Sequence, residues 1–176
     1  MRLLHRRFLM KTLNHSLIIA LAILSFVSCT RKAEQAAQYN DIIIQRQKDI
    51  IAAFDRFDST FADSIASEDE VEFAFVNMQS NIKHSILSID SIGPFQNDPL
   101  LQQSARDLFT AYDIMVEDNY RILKDIKLMP AESITAPMID TTISVQIRIH
   151  DVSKLAQEKF LNAQEEFGKK YNLTFE

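Results

Sequence analysis

The stretch SEDEVEFAFVNMQSNIKHSILSIDSIGP, residues 67–94, spells out one complete amphipathic helix with its start and its stop. Ser67 followed three residues later by Glu70 is the spacing of a capping box, in which each side chain satisfies the other residue's backbone N–H. Val71, Phe75, Met78, Ile82, Ser85, Ile89 and Ile92 then recur in steps of three and four, the period of one helix face. Gly93 accepts the left-handed conformation that ends a helix, and Pro94 brings no donor to continue one.

The same reading extends in both directions. Upstream, Ala36, Asn40, Ile43, Gln47, Ile50, Phe54, Phe57, Phe61 and Ile65 form a stripe that predicts a helix ending near Ala66, roughly 45–50 Å long at 1.5 Å per residue. The aromatic run Phe54, Phe57, Phe61 has the spacing of a core face rather than of a cofactor box. Downstream, Asn97-Asp98-Pro99 predicts a start with Asp98 as N-cap and Pro99 at the first helical position. Leu101, Ala105, Leu108, Tyr112, Met115, Asn119, Ile122, Ile126 and Met129 carry that third helix to Pro130. The fourth segment reads two ways at its start. Ile143, Val145, Ile147 and Ile149 alternate like a strand. Val145, Ile149, Val152, Ala156, Phe160, Ala163 and Phe167 fit a helix, which Glu165–Lys169 and Glu166–Lys170 support as i,i+4 pairs. The favoured reading is one helix over 139–171. Four amphipathic helices with short links predict an all-α fold, an antiparallel up-down-up-down four-helix bundle.

The N-terminus carries a different signal. Arg2, Arg6, Arg7 and Lys11 precede an apolar run from Leu17 to Val27, with no acid before Cys29. This eleven-residue core, which includes Ser25, is too short for a spanning helix, which needs about 20 apolar residues. A basic start, a short apolar core and small residues before a cut make the pattern of a signal peptide. Cys29, the chain's one cysteine, sits where the apolar core ends, so the arrangement resembles a bacterial lipoprotein signal. That resemblance implies cleavage of residues 1–28, lipidation of Cys29 and a tether over 29–38 ahead of a bundle domain over 39–176. An ordinary signal peptide or an uncleaved anchor is the alternative, since Phe26 makes the Phe26-Val27-Ser28-Cys29 box a loose one. Met10 opens a compact signal of its own and is the expected start, with residues 1–9 an upstream extension. Each buried methylene of an acyl chain contributes about 0.8 kcal/mol, and firm anchoring takes more than one chain. Thr30, where an Asp would favour inner-membrane retention, favours the outer membrane. The absence of an acidic run after Cys29 speaks against an acidic surface-export signal.

Removing residues 1–28 leaves a 148-residue chain with fifteen basic and twenty-four acidic residues, a net charge of −9. A length near 150 residues suits one domain, and the acidic balance disfavours nucleic acid and anionic headgroups. Two glycines leave no room for Gly-rich phosphate loops, and no cysteine remains for a disulfide or thiolate metal site. The two histidines of this part, His84 and His150, lack the Glu-x-x-His spacing of di-iron bundles, with Asn81 and Ile147 in the acid's place. No His-Glu-x-x-His and no nucleophile elbow is present. The acid pairs Asp55/Asp58 and Asp113/Glu117 read as a solvated face. No catalytic residue and no cofactor is therefore expected, and the chain reads as no enzyme. Helix register places Glu72, Asn119 and His150 at one height, with Asp58 or Ser59 close by. Such a polar layer fixes register by hydrogen bonding, or alternatively binds a small ligand or a metal ion. By the same register, Gln47 and Ser85 face each other across the first turn.

Two stretches, AAQYNDIIIQRQKDI (36–50) and IGPFQNDPLLQQSARDLFTAYDIMVEDNYRILKDI (92–126), taken with the lipid cysteine, carry a resemblance. The Tyr39-Asn40-Asp41 opening, the Gly93-Pro94-Phe95-Gln96-Asn97-Asp98 turn and the Phe109/Tyr112 spacing are similar to helical lipoproteins of Bacteroidetes and spirochaetes, a group named after a leptospiral surface protein. The resemblance implies a lipid-anchored helical bundle of the cell envelope and brings no catalytic residues with it. The expected role is protein contact in the envelope, with the membrane reached through Cys29.

Overall fold

The computed structural model describes residues 2–174, with side chains described for 31–174. Cys29, the cleavage point and the signal segment lie outside the residues whose side chains are described. The chain is all-α, with four helices packed together. They are α1 (Arg2–Ala62), α2 (Glu68–Ile92), a composite third helix, and α5 (Ala136–Tyr171). The third helix is α3 (Leu100–Met115), a π-helical turn (Val116–Tyr120) and α4 (Arg121–Lys127), and a short 3₁₀ turn (Ala131–Ser133) leads from it to α5.

The second helix behaves as its sequence dictates. Ser67 Oγ accepts from the Glu70 backbone N–H at 3.3 Å, and Glu70 Oε2 accepts from the Ser67 N–H at 2.8 Å. Val71, Phe75, Met78, Ile82, Ser85 and Ile89 are buried. Gly93 ends the helix at φ 66°, ψ −179°, a conformation open in practice only to glycine.

Helix α1 stops at Ala62, four residues short of the predicted Ala66. Asp63 Oδ1 captures the Ile65 N–H at 3.0 Å, which offers the chain a turn in place of a further helical bond. Ile65 consequently leaves the stripe and is 87% exposed. Ala36 is fully buried, so core packing on α1 begins within the stretch read as a tether. The third helix starts one residue late: Gln103 N–H donates to the Pro99 carbonyl at 2.8 Å, which makes Pro99 the cap residue. Asp98 keeps a terminal role by accepting from Leu100 N–H at 3.2 Å.

The third helix departs from its predicted stripe at its middle. Arg121 N–H donates to the Val116 carbonyl, an i to i+5 bond that inserts one extra residue into the turn. Tyr120 at its end and Leu123 beyond it are buried, while Ile122 and Ile126, predicted for the core, are half-buried. The core face has moved by one residue. Tyr120 thereby lies against Phe54 (ring centroids 5.2 Å) and edge-on to Phe57 (5.4 Å), and each such buried aromatic contributes roughly 1.5–3 kcal/mol through burial. The strand alternative at 143–149 is overturned, because that segment is helical and only Val145 of its four alternating residues is buried.

Candidate ligand cavity

Two regions gather the polar side chains of this fold. The first is at the α2–α3 connection. Tyr39 OH donates to the Gly93 carbonyl at 2.7 Å, and its ring packs against Phe95 (5.3 Å) and Phe167 (6.0 Å). Burial first, and the nearby Asp98 carboxylate second, push the Tyr39 hydroxyl up to about 12. Asp98 collects Lys170 Nζ at 2.7 Å and Tyr171 OH at 3.3 Å, and the Lys170 bond is the main reason its carboxyl titrates below the usual range. Gln96 and Asn97 both hold positive φ (50° and 63°) in the tight turn that Asp98 N–H closes onto the Phe95 carbonyl at 2.8 Å. Gln164 Nε2 donates to Asn40 Oδ1 at 2.8 Å inside the core. These groups are saturated by one another. They tie α1, the α2–α3 turn and the end of α5 into a closed polar and aromatic knot.

The second region is open. A cavity of about 610 Å³ lies between the last turns of α1, the end of the third helix and the middle of α5. Asp58, Phe61 and Ala62 line it from α1, Tyr120 and Leu123 from the third helix, and Gln146, Ile149, His150, Ser153, Lys154 and Gln157 from α5. Its volume falls in the range of small-molecule sites, roughly 300–1,000 Å³. It exists because α5 borders it with a polar stripe that runs from exposed Gln146 and His150 to half-buried Ser153 and Gln157. Gln146, His150, Ser153 and Gln157 recur in steps of four, three and four, and between the start of α5 and Phe160 only Val145 is buried.

Its polar groups are unequally satisfied. Gln157 Nε2 donates to Tyr112 OH at 3.0 Å and lies 3.0 Å from Ser153 Oγ. Asp58 lies on an exposed flank of α1 and lines the cavity, where its carboxyl is partly desolvated. Burial first and the Asp55 carboxylate second raise it above the usual carboxylate range. Burial and then the Asp58 and Asp55 charges push the Tyr120 hydroxyl well above its ordinary value. Among the described residues, neither Asp58 nor Lys154 forms an ion pair.

The polar layer expected from the sequence is partly assembled. His150 is on the cavity wall, and Asp58 joins it there. Asn119 is buried in the π-helical turn, 5% exposed, with an Oδ1 that accepts from no described group. Glu72 is elsewhere: it is exposed and pairs with Lys124 Nζ at 3.0 Å. In two helices joined by a tight turn, side chains lean toward the N-terminus of their own helix, so partners meet offset from equal backbone height. Gln79–Glu117 (2.7 Å) and Arg106–Asp90 (2.8 Å) show the same offset as Glu72–Lys124. Among the described residues, no group of three or more His, Cys, Asp or Glu side chains could hold a metal ion. His84 is exposed on α2.

No family model, curated protein or solved structure matches this chain. The cavity residues absent from the sequence reading are Ala62, Tyr120, Leu123, Gln146, Ser153, Lys154 and Gln157. A signal for the α5 members was present, since a polar stripe at helical spacing on the core side of a helix marks a face that packing leaves unfilled. Tyr120 gave none, because a π insertion is what turns it inward.

Proposed function

We propose that this chain is a non-enzymatic envelope protein, lipidated at Cys29 after loss of residues 1–28, whose four helices form an antiparallel up-down-up-down bundle acting by protein contact. The resemblance to helical envelope lipoproteins supports the anchor, and Thr30 favours the outer membrane. The alternation of helix ends supports the topology: Tyr39 meets Gly93, Lys127 Nζ donates to the Asp63 carbonyl at 2.6 Å, and Asp98 meets Lys170. The observation that carries the contact role is the outer face of α5. Ile139, Ile143 and Ile147, one turn apart, are 54%, 51% and 58% exposed. A continuous apolar strip of this kind on a chain of net charge −9 suits a partner with an apolar groove and a basic rim.

Photo-cross-linking from position 143 in intact cells tests the contact. A discrete adduct is expected from this position, and none from the polar surface position Glu158; equal adducts from both would remove the role of the strip. Cys29→Ala is expected to abolish fatty-acid labelling, and labelling that persists would sink the anchor.

A further inference from the structure

The cavity holds two opposite charges that do not neutralise each other. Asp58 enters from α1 and Lys154 from α5, and neither makes an ion pair with a described residue. Asp58 loses part of its hydration here without gaining the field of a cation, while Lys154 stands at the exposed rim. The same cavity has an apolar wall contributed by Phe61, Leu123 and Ile149. The Tyr120 hydroxyl sits within the field of Asp58, and Gln146 adds a further hydrogen-bonding group to the lining. The floor is shaped by the π-helical turn, whose inserted residue directs Tyr120 and Leu123 to this place. Turns of this kind occur often at functional sites.

We propose that the cavity between α1, the third helix and α5 binds a small zwitterion, with Asp58 taking an ammonium group, Lys154 taking a carboxylate, and a short aliphatic spacer lying on Phe61, Leu123 and Ile149. A ligand with only one of these charges leaves the other protein charge without a partner. A metal ion fits poorly, because it gains a single carboxylate and meets the Lys154 charge. The raised titration of Asp58 agrees with a carboxylate short of a cation. This site is independent of the isoleucine strip, so failure of either reading leaves the other standing.

The purified full chain is titrated calorimetrically with 4-aminobutyrate and 6-aminohexanoate, and in parallel with hexylamine and hexanoate. At least one amino acid of the pair is expected to bind saturably and about tenfold or more tighter than either singly charged probe, since a charge-assisted hydrogen bond contributes about that factor. D58N and K154Q are each expected to weaken the zwitterion about tenfold. D58N should leave hexanoate unchanged, and K154Q should leave hexylamine unchanged. Thermal melts confirm that both variants fold; Lys154 is exposed at the rim, so K154Q keeps the test decisive if D58N does not. Absence of saturable binding by both amino acids, equal affinity for the singly charged probes, or affinity unaffected by the foldable variants would overturn the proposal.

Discussion

Asp98 shows how much one side chain can acquire from its surroundings. Its place before Pro99 marks it as a helix-start residue, and it does accept from Leu100 N–H. Its larger role is with the far end of the chain, where Lys170 and Tyr171 both bond to it and its side chain is only 10% exposed. Asp98→Ala should cost about 1.5–3 kcal/mol, the range for hydrogen bonds to a charged group, read as a fall in urea midpoint at pH 7. The sign with pH follows from its lowered titration. Its stabilisation is present above the unfolded-state value of about 3.9 and is lost as pH falls through the lower folded value, so wild type and variant should converge under acid. Asp58 has the opposite sign. Its raised carboxyl favours the folded state when protonated and disfavours it as pH rises through the folded value. Asp58→Asn should therefore raise the melting temperature at pH 7, with the difference fading below about pH 3.9; a lower melting temperature at pH 7 would refute this. The Asp55/Asp58 spacing was legible in the sequence, but the burial that raises Asp58 and the Lys170 and Tyr171 partners of Asp98 were not, because they depend on how distant turns meet.

At the scale of the elements, the third helix is the instructive case. Met115, Val116, Asn119, Tyr120, Ile122 and Leu123 supply two overlapping core faces one residue apart. Periodicity admits either, and the π insertion resolves it in favour of Tyr120 and Leu123 because Phe54 and Phe57 await them. Deleting Asp118, which is exposed within the inserted turn, should restore an unbroken α-helix in which Met115, Tyr120 and Leu123 stay in phase. The deletion variant is expected to fold with a cooperative melt near the parent's. Loss of the melt would mean that the turn itself is needed for the packing. In α5 the alternating isoleucines suggest a strand only when read apart from the rest of their helix. Pro137 in the first turn and the Lys169 and Lys170 charges in the last support one long helix at both ends.

The whole molecule is tight at one end and open at the other. Tyr39, Phe95, Phe167, Tyr171 and Asp98 close the end where the described side chains of α1 begin. The cavity and the isoleucine strip lie toward the other end, with Asp58 about 40 Å along α1 from Arg31 at 1.5 Å per residue. Packing density should set local stability. Amide hydrogens over 138–150 are expected to exchange faster than those over 158–170, where Phe160, Ala163, Gln164, Phe167 and Gly168 are buried. Uniform protection along α5 would contradict this.

The sequence by itself determined that there are four helices, where most of them begin and end, and which residues of α2 face inward. Those outcomes follow from caps, breakers and a 3.6-residue period, all of which act within a few residues. Register already brought Asp58 near His150, but tertiary packing alone decided the phase of the third helix, the displacement of Glu72 from that layer, and the open space between Asp58 and α5. Each depends on the offset at which side chains from separate helices meet, and that offset is set by what the other helices already occupy.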